Sequence, residues 1–201
     1  MTREPVPDTQ KRIANWVGRV FHPAVIAVPT LALVLSDLGW QAALYWSAVT
    51  LPIVLLPGLL LVGYLRTRGK YTYQRRTRTP LYITAWLSVI AAAALTAMLG
   101  APRVLLACLL TLAVWLPVQL AVNTFITKIS THAAVVMGCI SGLLLLGKLP
   151  TLPWQLLGLG MLLLVAWARV HDRNHTVRQV VLGILVALVS VLGVFPLVLR
   201  S

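Results

Sequence analysis

The chain alternates long apolar runs with short polar stretches. The runs cover about Phe21–Leu38, Gln41–Leu65, Pro80–Leu99, Val104–Phe125, Ala133–Leu146, Leu152–Trp167 and Thr176–Leu199. A bilayer core of about 30 Å takes about 20 helical residues to cross, so the pattern predicts an all-α, polytopic transmembrane bundle of six to seven spans. The first and fifth runs are short for that task. Pro23 and Pro29 interrupt the first, and Pro52 and Pro57 the second, which membrane helices tolerate when neighbours re-satisfy the freed carbonyls. Ahead of them, residues 9–20 place basic and apolar side chains at roughly helical spacing. That predicts an interfacial helix with Trp16 at headgroup depth. The expected organisation is an N-terminal polar and interfacial segment, 1–20, followed by one transmembrane domain, 21–201.

Composition supports the membrane reading. The 201 residues are 59% hydrophobic and 10% charged, against about a quarter charged in soluble domains. No leader with a small-residue cleavage pattern precedes the first run. Cys108 and Cys139 fall inside apolar runs and read as small packing residues rather than a disulfide. The formal charge is +13, from 17 Lys and Arg against 4 Asp and Glu. Because the bases lie in loops beside apolar runs, anionic headgroups and phosphorylated lipids fit as partners better than nucleic acid. Glu4, Asp8, Asp37 and Asp172 are too scattered for a carboxylate metal cage. The expected chemistry uses no metal and no cofactor.

Three polar stretches interrupt the apolar pattern. Arg66–Thr79 carries six bases and no acid; Lys128-Ile-Ser-Thr-His132 follows the fourth run; Ala168–Gln179 follows the sixth and holds Arg169, His171, Asp172, Arg173, Asn174, His175 and Arg178. Two crossings separate each from the next, so all three open on one face and can build a single site. Ser130 and Asn174–His175 stand where helices begin, and helix N-termini bind anions through free N–H groups and the dipole. Arg169 adds a planar fork for two phosphate oxygens. Two histidines beside such an anion site suggest phosphoryl transfer, one attacking phosphorus and one protonating the leaving oxygen.

The same residues resemble a family. Ile129-Ser130-Thr131-His132 is similar to the second motif, Pro-Ser-Gly-His, of the type 2 phosphatidic acid phosphatase superfamily. Arg169, five residues, His175, three residues, Gln179 is similar to its third, Ser-Arg, five spacers, His, three spacers, Asp. The resemblance covers roughly Arg66 to the C-terminus and implies a phosphatase-type helical core. It implies His175 as nucleophile through a phosphohistidine, His132 as general acid, and Arg169 and Ser130 as ligands of the transferring phosphoryl group. The first motif, Lys, six spacers, Arg-Pro, is degenerate here: seven residues separate Lys70 from Arg78, and Thr79 precedes Pro80. Arg78 is the first choice for its role, with Arg75, Arg76, Lys70 and Lys128 as further phosphate-binding candidates. Gln179 stands where the family has Asp. Its amide oxygen can orient His175 without supplying charge, so a slower or pH-shifted enzyme is expected, with Asp172 as a candidate compensator.

The resemblance thus implies a metal-independent membrane phosphatase acting on a lipid phosphate or polyisoprenyl diphosphate. The alternative is a catalytically weak relative that binds or transfers phospholipid. A transporter fits less well, because the run interiors offer little polarity beyond Thr111, Gln119 and Asn123. Most bases lie on the face of the three polar stretches, leaving Arg103, Lys148 and Arg200 opposite. The positive-inside rule then predicts a cell inner membrane protein whose site faces the cytoplasm.

Overall fold

The computed structural model describes residues 8–69 and 75–200, which are helical nearly throughout and contain no strand. The chain opens with α1 (Asp8–Val20) and α2 (Pro23–Val34), bent by 47°. The break follows from Pro23, which has no N–H to continue the α1 ladder and instead occupies the first turn of a new helix. His22 is the N-cap of that helix, its Nδ1 accepting the Ala24 N–H at 3.3 Å. The predicted interfacial helix corresponds to α1. Its buried residues, Ala14 and Val17, pack with Val136, Leu162, Val165 and Ala168, while Trp16 on the other side is 63% exposed.

Six helices follow: α3 (Trp40–Thr67), α4 (Arg75–Met98), α5 (Arg103–Ala121), α6 (Thr131–Leu145), α7 (Leu152–His171) and α8 (Val177–Arg200). The turns after α4 and α6 lie where Gly100 and Gly147 predict them. Both glycines have positive φ, 74° and 68°, and the next N–H in each reaches back to the helix: Ala101 to the Thr96 carbonyl and Lys148 to the Leu143 carbonyl, both at 2.9 Å. This is the left-handed C-terminal stop that glycine favours. A π-turn, Val122–Ile126, ends α5, its Thr127 N–H donating to the Val122 carbonyl at 2.9 Å. An extended segment from Thr127 leads on to α6.

Among the described residues, five helices are long and apolar enough to cross a membrane, or six if the bent α1–α2 pair counts as one. The predicted fifth span accounts for the difference from six to seven. Its helix, α6, has 15 residues, which at 1.5 Å each cover about 22 Å and fall short of the hydrocarbon core.

α6 lies against α2, α7 and α8, while α5 joins α4 to α8. Tyr82, Val89, Leu105, Leu109, Leu116, Ala134, Leu143 and Ala187 interlock in one buried cluster. Close approach of α8 to the start of α6 depends on Gly183: a Cβ there would lie 2.8 Å from the Ser130 carbonyl oxygen. At the end of the bundle where α2 meets α3 and α6 meets α7, the Lys148 ammonium donates to Ser36 Oγ and pairs with Asp37. The opposite end gathers the polar stretches.

Candidate functional site

A cavity of about 510 Å³ opens at that end, and four elements bring polar side chains to it. The C-terminal turn of α3 contributes Arg66, the first turn of α4 contributes Arg78, the start of α6 contributes Thr131 and His132, and the α7–α8 junction contributes Arg169, Asn174 and His175. His22, at the α1–α2 elbow, completes the ring. The remaining wall is apolar, including Leu59, Val62, Leu81, Val89 and Leu116. The cavity is therefore cationic at one end and hydrocarbon-like along its sides.

Each polar group is held locally. Arg169 stands on the last turn of α7 and pairs with Asp172 at 3.4 Å, one turn on. Its Nε is buried without a partner. The guanidinium lies against Gly18 of α1, where a Cβ would sit 2.4 Å from Nη2. Arg78 reaches across from α4 to donate to the Ile129 carbonyl at 3.1 Å, which ties α4 to the loop that opens α6. A buried triad supports the same turn: Gln119 Nε2 donates to Tyr82 Oη at 3.0 Å and to Thr131 Oγ1 at 2.9 Å, and the two hydroxyls lie 3.1 Å apart.

Burial and neighbouring cations favour the neutral forms of His132 and His175. His132 is pushed down to about 3, first by burial, then by the charges of Arg169 and His22 and, more weakly, Arg78; a hydrogen bond with the Gly18 backbone works the other way. His175 is likewise pushed down to about 3, by burial and then by Arg78, Lys128 and Arg169, opposed by a contact with Gln179. His175 is 7% exposed. Its backbone N–H donates to the Arg169 carbonyl at 3.1 Å, and its Nδ1 is buried without a partner. His22 meets His132 edge-on at 5.5 Å between ring centroids and is itself lowered by burial, Arg66 and Arg169. Lys128 is partly buried beside Arg78, and desolvation followed by that charge lowers it. Arg169, Arg78 and Lys128 thus press on two buried imidazoles, the arrangement that an anionic ligand relieves.

The sequence-predicted residues divide on this geometry. His132, His175, Arg169 and Arg78 share the cavity wall. Lys128 is not among the lining residues and reaches His175 through its charge. Ser130, expected among the phosphoryl ligands, is fully buried as the N-cap of α6, with Oγ accepting the Ala133 N–H at 3.4 Å; Thr131 takes its place in the wall. Lys70 and the side chains of Arg75 and Arg76 lie outside the described residues.

Gln179 does something the sequence signalled and the family comparison masked. Its amide oxygen accepts the Thr176 N–H at 3.2 Å, while the Thr176 hydroxyl accepts the Gln179 N–H at 3.3 Å. That is the reciprocal capping box, written in the chain as Thr-Val-Arg-Gln. Its Nε2 donates to Thr127 Oγ1 at 3.2 Å and its carbonyl accepts the Ser130 N–H at 3.2 Å. The expected orienting contact with His175 is therefore secondary to joining α8 to the loop before α6. Asp172, expected as a compensator, faces Arg169 and Asn174 instead. The turn puts it one helical step past Arg169, and Arg173 with φ 53° then redirects the chain. His171 stacks on Trp167 at 5.0 Å, outside the cavity wall.

Sequence reasoning missed His22, Tyr82 and Gln119. The last was read only as one of the few polar residues inside the apolar runs. Among the described residues no group of three His, Cys, Asp or Glu side chains is placed to hold a metal ion. No protein family, curated protein or solved structure matches the chain.

Proposed function

We propose that this protein is an integral membrane phosphohydrolase of the type 2 phosphatidic acid phosphatase kind, removing phosphate from a lipid phosphate or diphosphate. The observation that carries the reading is the shared cavity: three histidines (His22, His132 and His175) and three arginines (Arg66, Arg78 and Arg169) at its polar end, hydrocarbon-like walls beyond. A phosphoryl group fits between Arg169 and Arg78, with the lipid portion along the apolar wall. A neutral His175 has a free electron pair, so a ring nitrogen attacks phosphorus and the bond to the lipid oxygen breaks. His132 donates a proton to that oxygen. Water then attacks the phosphohistidine, losing its proton to His132, and releases phosphate with His175 restored.

The anion itself arms the acid. Burial and the neighbouring charges hold His132 down, and a phosphoryl dianion between the arginines raises its proton affinity. Arg169 and Arg78 stabilise the charge that spreads over the phosphoryl oxygens. The site faces the cytoplasm on the positive-inside reading, since it is also the basic end of the bundle.

The decisive experiment is phosphate release from a lipid phosphate and diphosphate panel in mixed micelles, with His175→Ala as control. Release that depends on His175 supports the proposal. No release from any member, or equal release by the variant, overturns it. The second reading, a lipid-binding relative with little turnover, is favoured by one feature: the Nδ1 of His175 lacks the carboxylate that would orient it. Binding of a lipid phosphate without a single turnover would establish that alternative.

A further inference from the structure

The cavity wall carries a polar pair that is neither charged nor basic. Tyr82 and Thr131 both line it. Their hydroxyls lie 3.1 Å apart, and Gln119 Nε2 donates to each, at 3.0 and 2.9 Å. Gln119 itself is fully buried in α5, and its Oε1 has no partner. Burying a primary amide among apolar helices with an acceptor unmet is costly, so its two N–H groups must hold something that matters.

The hydrogens can be counted. A primary amide has two N–H donors, and each hydroxyl has one O–H donor and two lone pairs. Both N–H groups are used, one on each hydroxyl oxygen. The contact between the hydroxyls uses one O–H, because only one of them can donate along it. One O–H is left over, and among the described residues it meets no acceptor. Tyr82 is buried while Thr131 is only partly so. The arrangement that follows has Tyr82 donating to Thr131 Oγ1, which then accepts two hydrogen bonds and turns its own O–H to the cavity. A threonine inside a helix can give that proton to the carbonyl four residues back. Thr131 is the first residue of α6, preceded by extended chain, and has no such carbonyl.

Its place on the wall gives the proton a use. Thr131 directly precedes His132, and Tyr82 stands four residues after Arg78 on α4, on the same helix face. The spare donor thus lies between the guanidinium and the imidazole that flank the phosphoryl position. The motif that this loop resembles has glycine where Thr131 stands, so the resemblance supplies no hydroxyl here.

Resting on the phosphohydrolase reading above for the identity of the anion, we infer that Thr131 is a further binding residue, its hydroxyl donating to an oxygen of the bound phosphoryl group. Tyr82 and Gln119 are positioning residues that aim this hydroxyl by occupying its lone pairs. A hydrogen bond from a preset donor to a charged oxygen is among the stronger kinds.

The test titrates inorganic phosphate and vanadate by calorimetry, and measures lipid phosphate turnover, with the full-length protein in mixed micelles. Thr131→Val keeps the shape and removes the donor, and should weaken anion binding and lower kcat/KM by about tenfold or more. Thr131→Ser, which keeps the hydroxyl, should behave as the parent does. Thr131→Ala removes the same donor from a smaller side chain and should show the same loss should the valine variant not fold. A hydroxyl does not titrate near neutrality, so the ratio of variant to parent should be the same at pH 6 and pH 8. A loss that serine does not restore, or one accompanied by a shifted pH–rate profile, makes the triad a packing device and overturns the inference. A larger loss for Tyr82→Phe than for Thr131→Val overturns the choice of donor. Parent-like anion affinity without the hydroxyl, in a protein whose turnover depends on His175, overturns the inference and leaves the phosphohydrolase reading intact. A serine-rescued loss of affinity in a protein that releases no phosphate from any lipid keeps the anion contact and overturns that reading. A parent that binds neither phosphate nor vanadate overturns both.

Discussion

Gly183→Ala is the substitution whose effect follows most directly from the packing. The added Cβ would stand 2.8 Å from the Ser130 carbonyl oxygen and 3.4 Å from the Ser130 nitrogen. Ordinary contact begins near 3.4 Å, so α8 and the start of α6 must part by about 0.6 Å. Neither partner is a flexible side-chain tip; both are backbone held by hydrogen bonds, Ser130 to Gln179 and Ala134 to Ser130. Overpacking of this kind costs about 1–3 kcal/mol, equivalent to a midpoint roughly 2–12 °C lower for a chain of this size. The displaced residue is two before His132, while His175 and Gln179 move with α8. A misplacement approaching 1 Å between catalytic groups can cost up to about a hundredfold, so a loss of about tenfold or more in turnover is expected. Thermal unfolding in detergent and phosphate release measure the two effects. Gly193→Ala, on the same helix with open space around its Cβ, is the control and should leave both unchanged. If Gly183→Ala matches the parent in midpoint and turnover, close contact between α8 and Ser130 is not what sets the site.

Inorganic phosphate or vanadate should bind with proton uptake and bind more tightly as pH falls from 8 to 6, because burial and neighbouring cations push His132 and His175 down to about 3 and an anion beside them raises both; titration calorimetry in two buffers of different ionisation enthalpy reads the protons, and zero uptake refutes the electrostatics. For the same reason stability is fully present above about 6.5 and falls as pH drops through that value toward 3, where the unfolded chain binds protons that the buried rings refuse; His132→Gln should flatten that slope in an acid unfolding series. Gln179→Glu should keep the capping box, place a carboxylate beside His175 and move the acid limb of the pH–rate profile upward, so an unchanged profile would mean that residue 179 does not act on the nucleophile. His22→Asn should retain the α2 cap but lose the edge contact with His132, slowing turnover by about tenfold while the melting midpoint stays within a degree or two; parent-like turnover would remove His22 from the site. For sidedness, cysteines placed at Thr67 and Thr151 in a background without Cys108 and Cys139 should be protected and labelled, respectively, by an impermeant thiol reagent in intact cells, and the reverse pattern would put the site outside.

The helices were legible where apolar runs are long and their stops chemical. Gly100 and Gly147 marked true ends, and α7 begins at Leu152 as the run does. Misjudgements followed from reading composition as conformation. The basic stretch before Pro80 looked like loop, yet α4 begins at Arg75, and Pro80 is accommodated within it. The run read as the fifth span belongs to α6, whose 15 residues are fewer than the long apolar helices carry. In the site, Arg169, His132 and His175 were legible because short motifs carry them. His22, Tyr82 and Gln119 reach the same place through tertiary contact alone, which no local spacing encodes. Thr176 and Gln179 were the opposite case, a local signature overlooked because an expected aspartate drew attention to what was missing.

The ionic clasp of Lys148 with Ser36 and Asp37 gives the first two helices a mechanical character. It fastens the far end of α2 to the α6–α7 turn, while the other end of α2 meets α1 at the elbow that carries Gly18 and His22. The arm is thus anchored at one end and works at the other. The elbow is where His132 finds a neighbouring ring and Arg169 a place to lie, so α2 ties the clasp at one end of the bundle to the surroundings of the site at the other.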